Sequence, residues 1–311
     1  DYIERSAQVD LPCEQIDEAW ATAFRQWMHA RTDRVRAPGT IENSLIALAA
    51  AIRLGNVTPG FKPIPTIEVN RTPVFRASIQ QIADMFRYCI DPPSPTDAMR
   101  KRHIAERVNL LRYLRAGIAT WARPDAIHDI STDHARRQWM SAAKVLALNP
   151  DKRRQTKKYR PSIPIARQFA PHLDATSGPY ITVKSVRGTW DAMATTLSLP
   201  TQGESGMKLL RRSVAHIARK IMGEESWVQG QMMLGHHKAS TSDIYALPDP
   251  ANLGKALAAT ESIIDQIEAL CPGAYYRNFT ADNCQVRSIM SGAKRVSVDK
   301  IRGKNGGRSK D

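Results

Sequence analysis

In the first third of the chain the apolar residues fall at helical spacing. Ile16, Ala19, Trp20, Ala23, Phe24 and Trp27 recur at three- and four-residue steps, which predicts a helix over residues 15–28 with one apolar face. A second helix is expected after Pro38 and Gly39, with Thr40 as its N-cap and an apolar run closing at Gly55. From Asn56 to Pro73 the helical period is lost, and Pro59, Pro63, Pro65 and Pro73 make this stretch the best linker. The period resumes after Ser78 through Ile79, Ile82, Met85 and Phe86, and breaks at Asp91-Pro92-Pro93-Ser94-Pro95. A long helix is then predicted over 97–121, its tail from Leu110 to Thr120 apolar enough to be buried. It ends at Arg123-Pro124, because proline disfavours the helical conformation in the residue before it. Three β-like runs follow, at 126–130, 142–148 and 159–165, the last with Ile163 and Ile165 alternating with Ser162 and Pro164. Between the last two stand a turn, Asn149-Pro150-Asp151, and a basic run, 152–158. Beyond Pro171 the pattern is mostly helical to Leu270, and 252–270 carries an apolar stripe. Residues 287–311, rich in Gly, Ser, Lys and Arg, read as a mobile basic tail.

Composition narrows the class. At 311 residues the chain exceeds what one core usually serves, about 250–300, so two domains are expected. An apolar fraction of 42% and a charged fraction of 24% rule out wholesale disorder. No apolar run approaches the roughly 18 residues of a membrane-spanning helix. The net charge of +15 points to a polyanionic partner, most often nucleic acid. Cys13, Cys89, Cys271 and Cys284 form no CxxC pair and no zinc spacing, so free thiols in a reducing cytoplasm are expected. The chain opens at Asp1 without a charged-then-apolar leader, which suggests a piece of something longer.

The chemistry concentrates in two segments. One is Lys208-Leu209-Leu210-Arg211-Arg212-Ser213; the other runs from Leu234-Gly235-His236 through Thr241 to Tyr245, nine residues past His236. Together they resemble the C-terminal signature of the tyrosine recombinases, the phage integrase family: His-x-Leu-Arg-Arg-Thr, then Leu-Gly-His, then a nucleophilic tyrosine. Two motifs in the right order and spacing make the likeness specific. Trp121-Ala122-Arg123-Pro124-Asp125-Ala126-Ile127 is similar to the family's first arginine box, with Ala126 where Glu is common. Gln155-Thr156-Lys157-Lys158 before Ile163-Pro164-Ile165 is similar to the hairpin that carries the family's lysine. Lys157 is the preferred match there, with Lys158 and Lys152 as competitors. Lys208 stands where the family usually has His, a variant known among its members.

The resemblance implies a catalytic set of Tyr245, Arg211, Arg123, His236, Lys157 and Lys208. Phosphodiester chemistry independently requires such a set, because negative charge deepens in the pentacoordinate transition state and fixed cations must meet it. Arginine forks hold two oxygens each, and His236 adds a donor. Clustered cations favour the phenolate of a tyrosine whose reference pKa is about 10. Attack by Tyr245 gives a phosphotyrosyl enzyme, and a hairpin lysine protonates the leaving sugar oxygen. No cofactor and no metal are expected. Taken singly, Arg211 and Arg212 would read as a solvated helix face and Tyr245 as a half-buried aromatic; their order changes that. Arg100-Lys101-Arg102 fits a phosphate-contacting face and a solvated one equally well. His103, His128, His134 and His216 are expected to be structural or exposed, and His237 to lie outside the catalytic set.

The expected fold class is mainly α with a small antiparallel β-sheet, a helical core-binding domain joined to an α+β tyrosine-recombinase catalytic domain. The division is 1–55 core-binding, 56–75 linker, 76–250 catalytic, and 251–311 C-terminal helix and basic tail. The resemblance implies a site-specific recombinase that cuts and rejoins double-stranded DNA through a 3'-phosphotyrosyl intermediate without metal or ATP. It also implies a homotetramer on two DNA sites, no membrane association, and a cytoplasmic, nucleoid-associated or mobile-element-encoded setting. Integrases of this family often carry an arm-binding domain ahead of the core, and their C-terminal helix often docks on a neighbouring protomer, which is the reading preferred for 252–270. The alternatives are a type IB topoisomerase-like relaxation enzyme and a non-catalytic DNA-binding descendant. An RNA-binding module is disfavoured, since no RNP-like aromatic pattern is present.

Overall fold

The structure is a computed structural model that describes residues 2–5, 10–69, 73–155, 158–201, 203–236 and 249–276. The chain divides into two compact units, Asp1–Val74 and Phe75–Asp311.

The first unit is built on α1 (Glu18–Ala30) and α2 (Pro38–Leu54). Helix α1 begins three residues later than the apolar period suggested, because the Asp17 carboxylate accepts the Trp20 N–H and fixes the start there. Helix α2 starts at Pro38 rather than after Thr40. Proline suits the first helical position, where its missing N–H costs nothing. Trp20, Leu45, Ala49 and Ile52 form the core together with Phe61, a residue of the Pro-rich stretch. Beside that core the Arg25 guanidinium reaches the nearly buried Glu42 carboxylate at 2.7 Å.

The second unit carries α3 (Ile79–Ile90), α4 (Asp97–Thr120), α5 (Pro124–His128), α6 (Ala170–Asp174), α7 (Arg187–Thr196), α8 (Leu209–Met222), α9 (Trp227–Met233) and α10 (Gly254–Leu270). Ser78 opens α3 with a reciprocal capping box to Gln81. The small sheet is antiparallel in the order β1 (Trp139–Met140), β2 (Val145–Ala147), β3 (Ser162–Pro164), with Leu146 opposite both Trp139 and Ile163. The expected class, mainly α with a small antiparallel sheet, is what the chain adopts.

Two local expectations fail for physical reasons. Residues 126–130 do not form a strand: Pro124 supplies a ready helix start, and Asp129 N–H closes the turn on the Ala126 carbonyl, giving α5. Helix α10 buries Ala256, Ala259, Thr260, Ile263, Ile264 and Ile267 among helices of its own unit. Its apolar stripe is therefore occupied in cis, which overturns the reading of 252–270 as a helix docked on a neighbour.

Candidate active site

Helices α4 and α8 cross closely because of a glycine. A Cβ on Gly117 would lie 2.5 Å from Leu210 Cδ2. This contact brings the end of α4 beside Arg211, the third residue of α8. Trp121, just past α4, takes a left-handed conformation (φ 53°), and its carbonyl accepts a hydrogen bond from Arg211 Nη1. Arg211 Nη2 donates to the Leu234 carbonyl at 2.6 Å, so two main-chain oxygens from separate loops fix the guanidinium plane. The same Nη2 donates to His236 Nε2 at 3.2 Å, which leaves the imidazole proton on Nδ1.

Gly235 makes the adjoining turn possible. Its φ is +61°, and a Cβ there would stand 2.5 Å from the Tyr159 carbonyl oxygen. That oxygen also accepts a hydrogen bond from Arg123 Nη1 at 3.1 Å. One carbonyl thus gathers the Leu-Gly-His turn, the end of the basic hairpin and the first arginine box. Arg123 is extended (φ −71°, ψ 152°), as a residue before proline favours, and serves as the N-cap of α5.

The electrostatics follow from this crowding. Burial, with the Arg123 charge adding to it, pushes the Arg211 pKa down to about 10; Asp125 offsets part of the effect. Burial of part of the His236 ring, then Arg211 and Arg123, hold its pKa below the ordinary histidine value. Groups that oppose one another's charge in this way favour an anion between them. Two planar forks and an imidazole converging on one place suit the non-bridging oxygens of a phosphoryl group.

The hairpin is tied to α5 by a nearly buried arginine. Arg160, its side chain 7% exposed, reaches Asp129 at 2.6 Å and Asp125 at 2.8 Å. Arg136 and Arg153 also pair with Asp129. Arg153 and Arg160 therefore hold the scaffold, although in the sequence they sit within or beside a run that looks made for DNA.

No protein-family model and no curated protein matches the sequence. Among solved structures, the chain is similar to the Tn1549 transposon integrase (residues 82–397) in complex with circular intermediate DNA. The TM-score is 0.50 at 11% identity, covering 79% of this chain and 88% of that one. XerH site-specific recombinase bound to difH substrate, a pre-cleavage complex, is similar at TM-score 0.47 and 14% identity, over 82% of this chain and 74% of that one. Its post-cleavage complex on palindromic difH gives 0.47 and 14%, over 83% and 76%. The chain has the tyrosine-recombinase fold.

Within that recombinase fold, Arg211, His236 and Arg123 come together from three separate segments. Lys208 does not join them: it stands exposed at the N-cap of α8, and its ammonium has no hydrogen bond or ion pair among the described residues. Lys157, Tyr245 and His237 lie outside the described residues. Of the basic triplet on α4, Arg100 pairs with Asp91 and Arg102 with Glu106, which favours the solvated face. His128 bonds the Pro124 carbonyl at 2.8 Å, a structural role. His216 is exposed as expected, but it also lines a cleft with Arg211 and His236. Sequence reasoning missed the Trp121, Leu234 and Tyr159 carbonyls, since main-chain oxygens leave no signature. It also missed the Asp125–Asp129–Arg160 anchor. Acidic residues two and six positions beyond Arg123 were the available signal.

Proposed function

We propose that this protein is a tyrosine recombinase that cuts and rejoins double-stranded DNA. The observation that carries the reading is the meeting of Arg211 and His236, 25 residues apart in sequence, with Arg123 beside them. In the proposed reaction the scissile phosphate binds between Arg123 and Arg211, with His236 as a further hydrogen-bond donor through a protonated ring nitrogen. The Tyr245 oxygen attacks phosphorus and gives its proton to solvent water. The bond from phosphorus to the 5'-oxygen breaks, that oxygen takes a proton from a hairpin lysine, for which Lys157 is the assignment, and a 3'-phosphotyrosyl ester remains. Rejoining reverses these steps with a 5'-hydroxyl as nucleophile. The ester energy is retained, so no ATP is needed, and the arginines meet the transition-state charge that a metal would otherwise meet.

Lys208 is assigned to the phosphate or to the Tyr245 hydroxyl once DNA is bound. Residues 1–55 are assigned to DNA binding, 56–75 to the linker, 76–250 to catalysis and 251–311 to the C-terminal helix and tail. The active assembly is a homotetramer on two sites. A net charge of +15 supports a duplex partner, as does the shared fold of an integrase solved on DNA.

The test is covalent trapping on a library of nicked duplexes of random sequence, in which loss of a short fragment prevents rejoining. The wild-type protein should yield an adduct that survives denaturation, and Tyr245→Phe should yield none. An adduct that persists in Tyr245→Phe contradicts the assignment.

A further inference from the structure

Trp121 holds a cation of the candidate site in place and is itself held in an unusual way. Its left-handed backbone (φ 53°) is one that a bulky residue keeps only where the surroundings enforce it. Its carbonyl accepts from Arg211 Nη1, and the chain then turns through Ala122 into Arg123. The indole ring is fully buried, yet its N–H finds no acceptor among the described residues. Packing rather than hydrogen bonding therefore fixes this ring. The ring stacked on it is Trp227, with 6.4 Å between centroids and 22° between planes.

Trp227 opens α9, and its own ring is set by two neighbours. It lies across its helix at Gly230, where a Cβ would stand 2.3 Å from Trp227 Cζ3. The Arg219 guanidinium lies over the ring, 5.2 Å from its centroid, and Glu224 holds that guanidinium through both carboxylate oxygens, at 2.8 and 2.5 Å. Arg219 stands about two turns along α8 from Arg211, so the same helix carries the catalytic candidate and the clamp on the ring. The far end of α9 runs into Leu234, whose carbonyl is the second anchor of Arg211, and then into Gly235 and His236. Of the two carbonyls that orient Arg211, one thus belongs to the residue stacked on Trp227. The other closes the helix that Trp227 begins.

We propose that Trp227 is a positioning residue for strand cleavage, which spaces the Trp121 and Leu234 carbonyls and so orients the Arg211 guanidinium. The assignment rests on the recombinase reading, and in it Trp227 acts through Trp121 and α9 rather than on the phosphate itself. A guanidinium displaced by about 1 Å still attracts duplex backbone, but it no longer meets the charge that develops in the transition state.

The test is single-turnover adduct formation by the full chain on nicked duplexes of random sequence, run beside duplex affinity and NMR titration of His236. Trp227→Leu keeps an apolar side chain and removes the flat ring. It should slow adduct formation at saturating duplex by about 10²-fold, the effect of a misplacement of about 1 Å, while affinity stays within about twofold. Trp227→Phe keeps a ring that can stack and should recover most of the rate. In the free protein the His236 midpoint should rise in Trp227→Leu toward the ordinary value of about 6.5, because Arg211 no longer stands where its charge opposes the imidazolium. It should stay low in Trp227→Phe. Arg219→Ala changes a half-exposed side chain, and loss of the cation over the ring should slow adduct formation about two- to fivefold. Adduct formation in Trp227→Leu as fast as in the wild type overturns the positioning role, since the ring then only fills space. Equal losses of rate and affinity overturn it too, since the ring then binds DNA. Should Trp227→Leu unfold, an unchanged rate in Arg219→Ala overturns it. A wild-type protein that forms no adduct overturns the recombinase reading instead, and the His236 midpoint then still decides whether Trp227 holds Arg211.

Discussion

Arg211 works at the candidate site because its hydrogen bonds are divided. The Trp121 and Leu234 carbonyls hold the guanidinium plane and Nη2 also donates to the His236 ring, leaving Nε–H and the second Nη1–H for the phosphate of the proposed reaction. Removing it should therefore hurt the transition state more than the ground state. Arg211→Ala is expected to slow adduct formation by about 10²–10³-fold, as loss of one oxyanion donor does, with a much smaller change in duplex affinity. Equal losses in both would indicate a plain phosphate-binding role. His236 gives a second residue-level prediction. Its depressed pKa favours the neutral ring, so the stabilisation from the Arg211 contact is complete above the unfolded value of about 6.5 and fades as pH falls through the lower folded value. NMR titration of the free protein should place the His236 midpoint below 6.5, and Arg123→Gln should move it upward. A midpoint at or above the ordinary value contradicts the cation cluster. Residue identity was the most legible level in the sequence: the order of Arg123, Arg211 and His236 pointed to a common site. The supporting carbonyls were not legible, because any residue can supply one.

Between elements, the anchor formed by Arg160 with Asp125 and Asp129 joins the basic hairpin to α5, and so to Arg123 at the helix start. Burial alone would raise the Asp129 carboxyl, but hydrogen bonds from Arg160 and Arg136 hold it below its usual range. Its contribution to stability is thus full above the unfolded carboxylate pKa of about 3.9 and is lost as pH falls through the lower folded value. Asp129→Asn leaves Arg160 with Asp125 as its one acidic partner, and should cost about 3 kcal/mol in urea unfolding at neutral pH, the low end for breaking a buried pair. A loss under about 0.5 kcal/mol, as at an ordinary surface site, would contradict the anchor. Helices were largely legible because apolar period and caps agree, as at Ser78. Helix α5 was not: five residues hold too little pattern to separate a turn of helix from a strand, and the decision rested on Pro124. Strand β1 was missed for the same reason, being two residues long.

At the scale of the whole molecule, the charge of +15 separates into cations with different partners. Arg153 and Arg160 answer acids inside the fold, Arg100 and Arg102 answer acids on its surface, and Arg76, Arg211 and Arg212 line one cleft, with Arg123 near enough for its charge to act on Arg211. Composition alone cannot make that division, because it depends on which carboxylates the fold brings near. The cis packing of α10 was equally out of reach, since an apolar stripe does not say which surface covers it. The central claim remains a single covalent bond. Digestion of the trapped adduct with trypsin and nuclease, followed by mass spectrometry, should place a nucleotide 3'-phosphate on the peptide spanning 239–255, with fragment ions locating it at Tyr245. A nucleotide on any other residue, or attachment through a 5'-phosphate, would contradict the account.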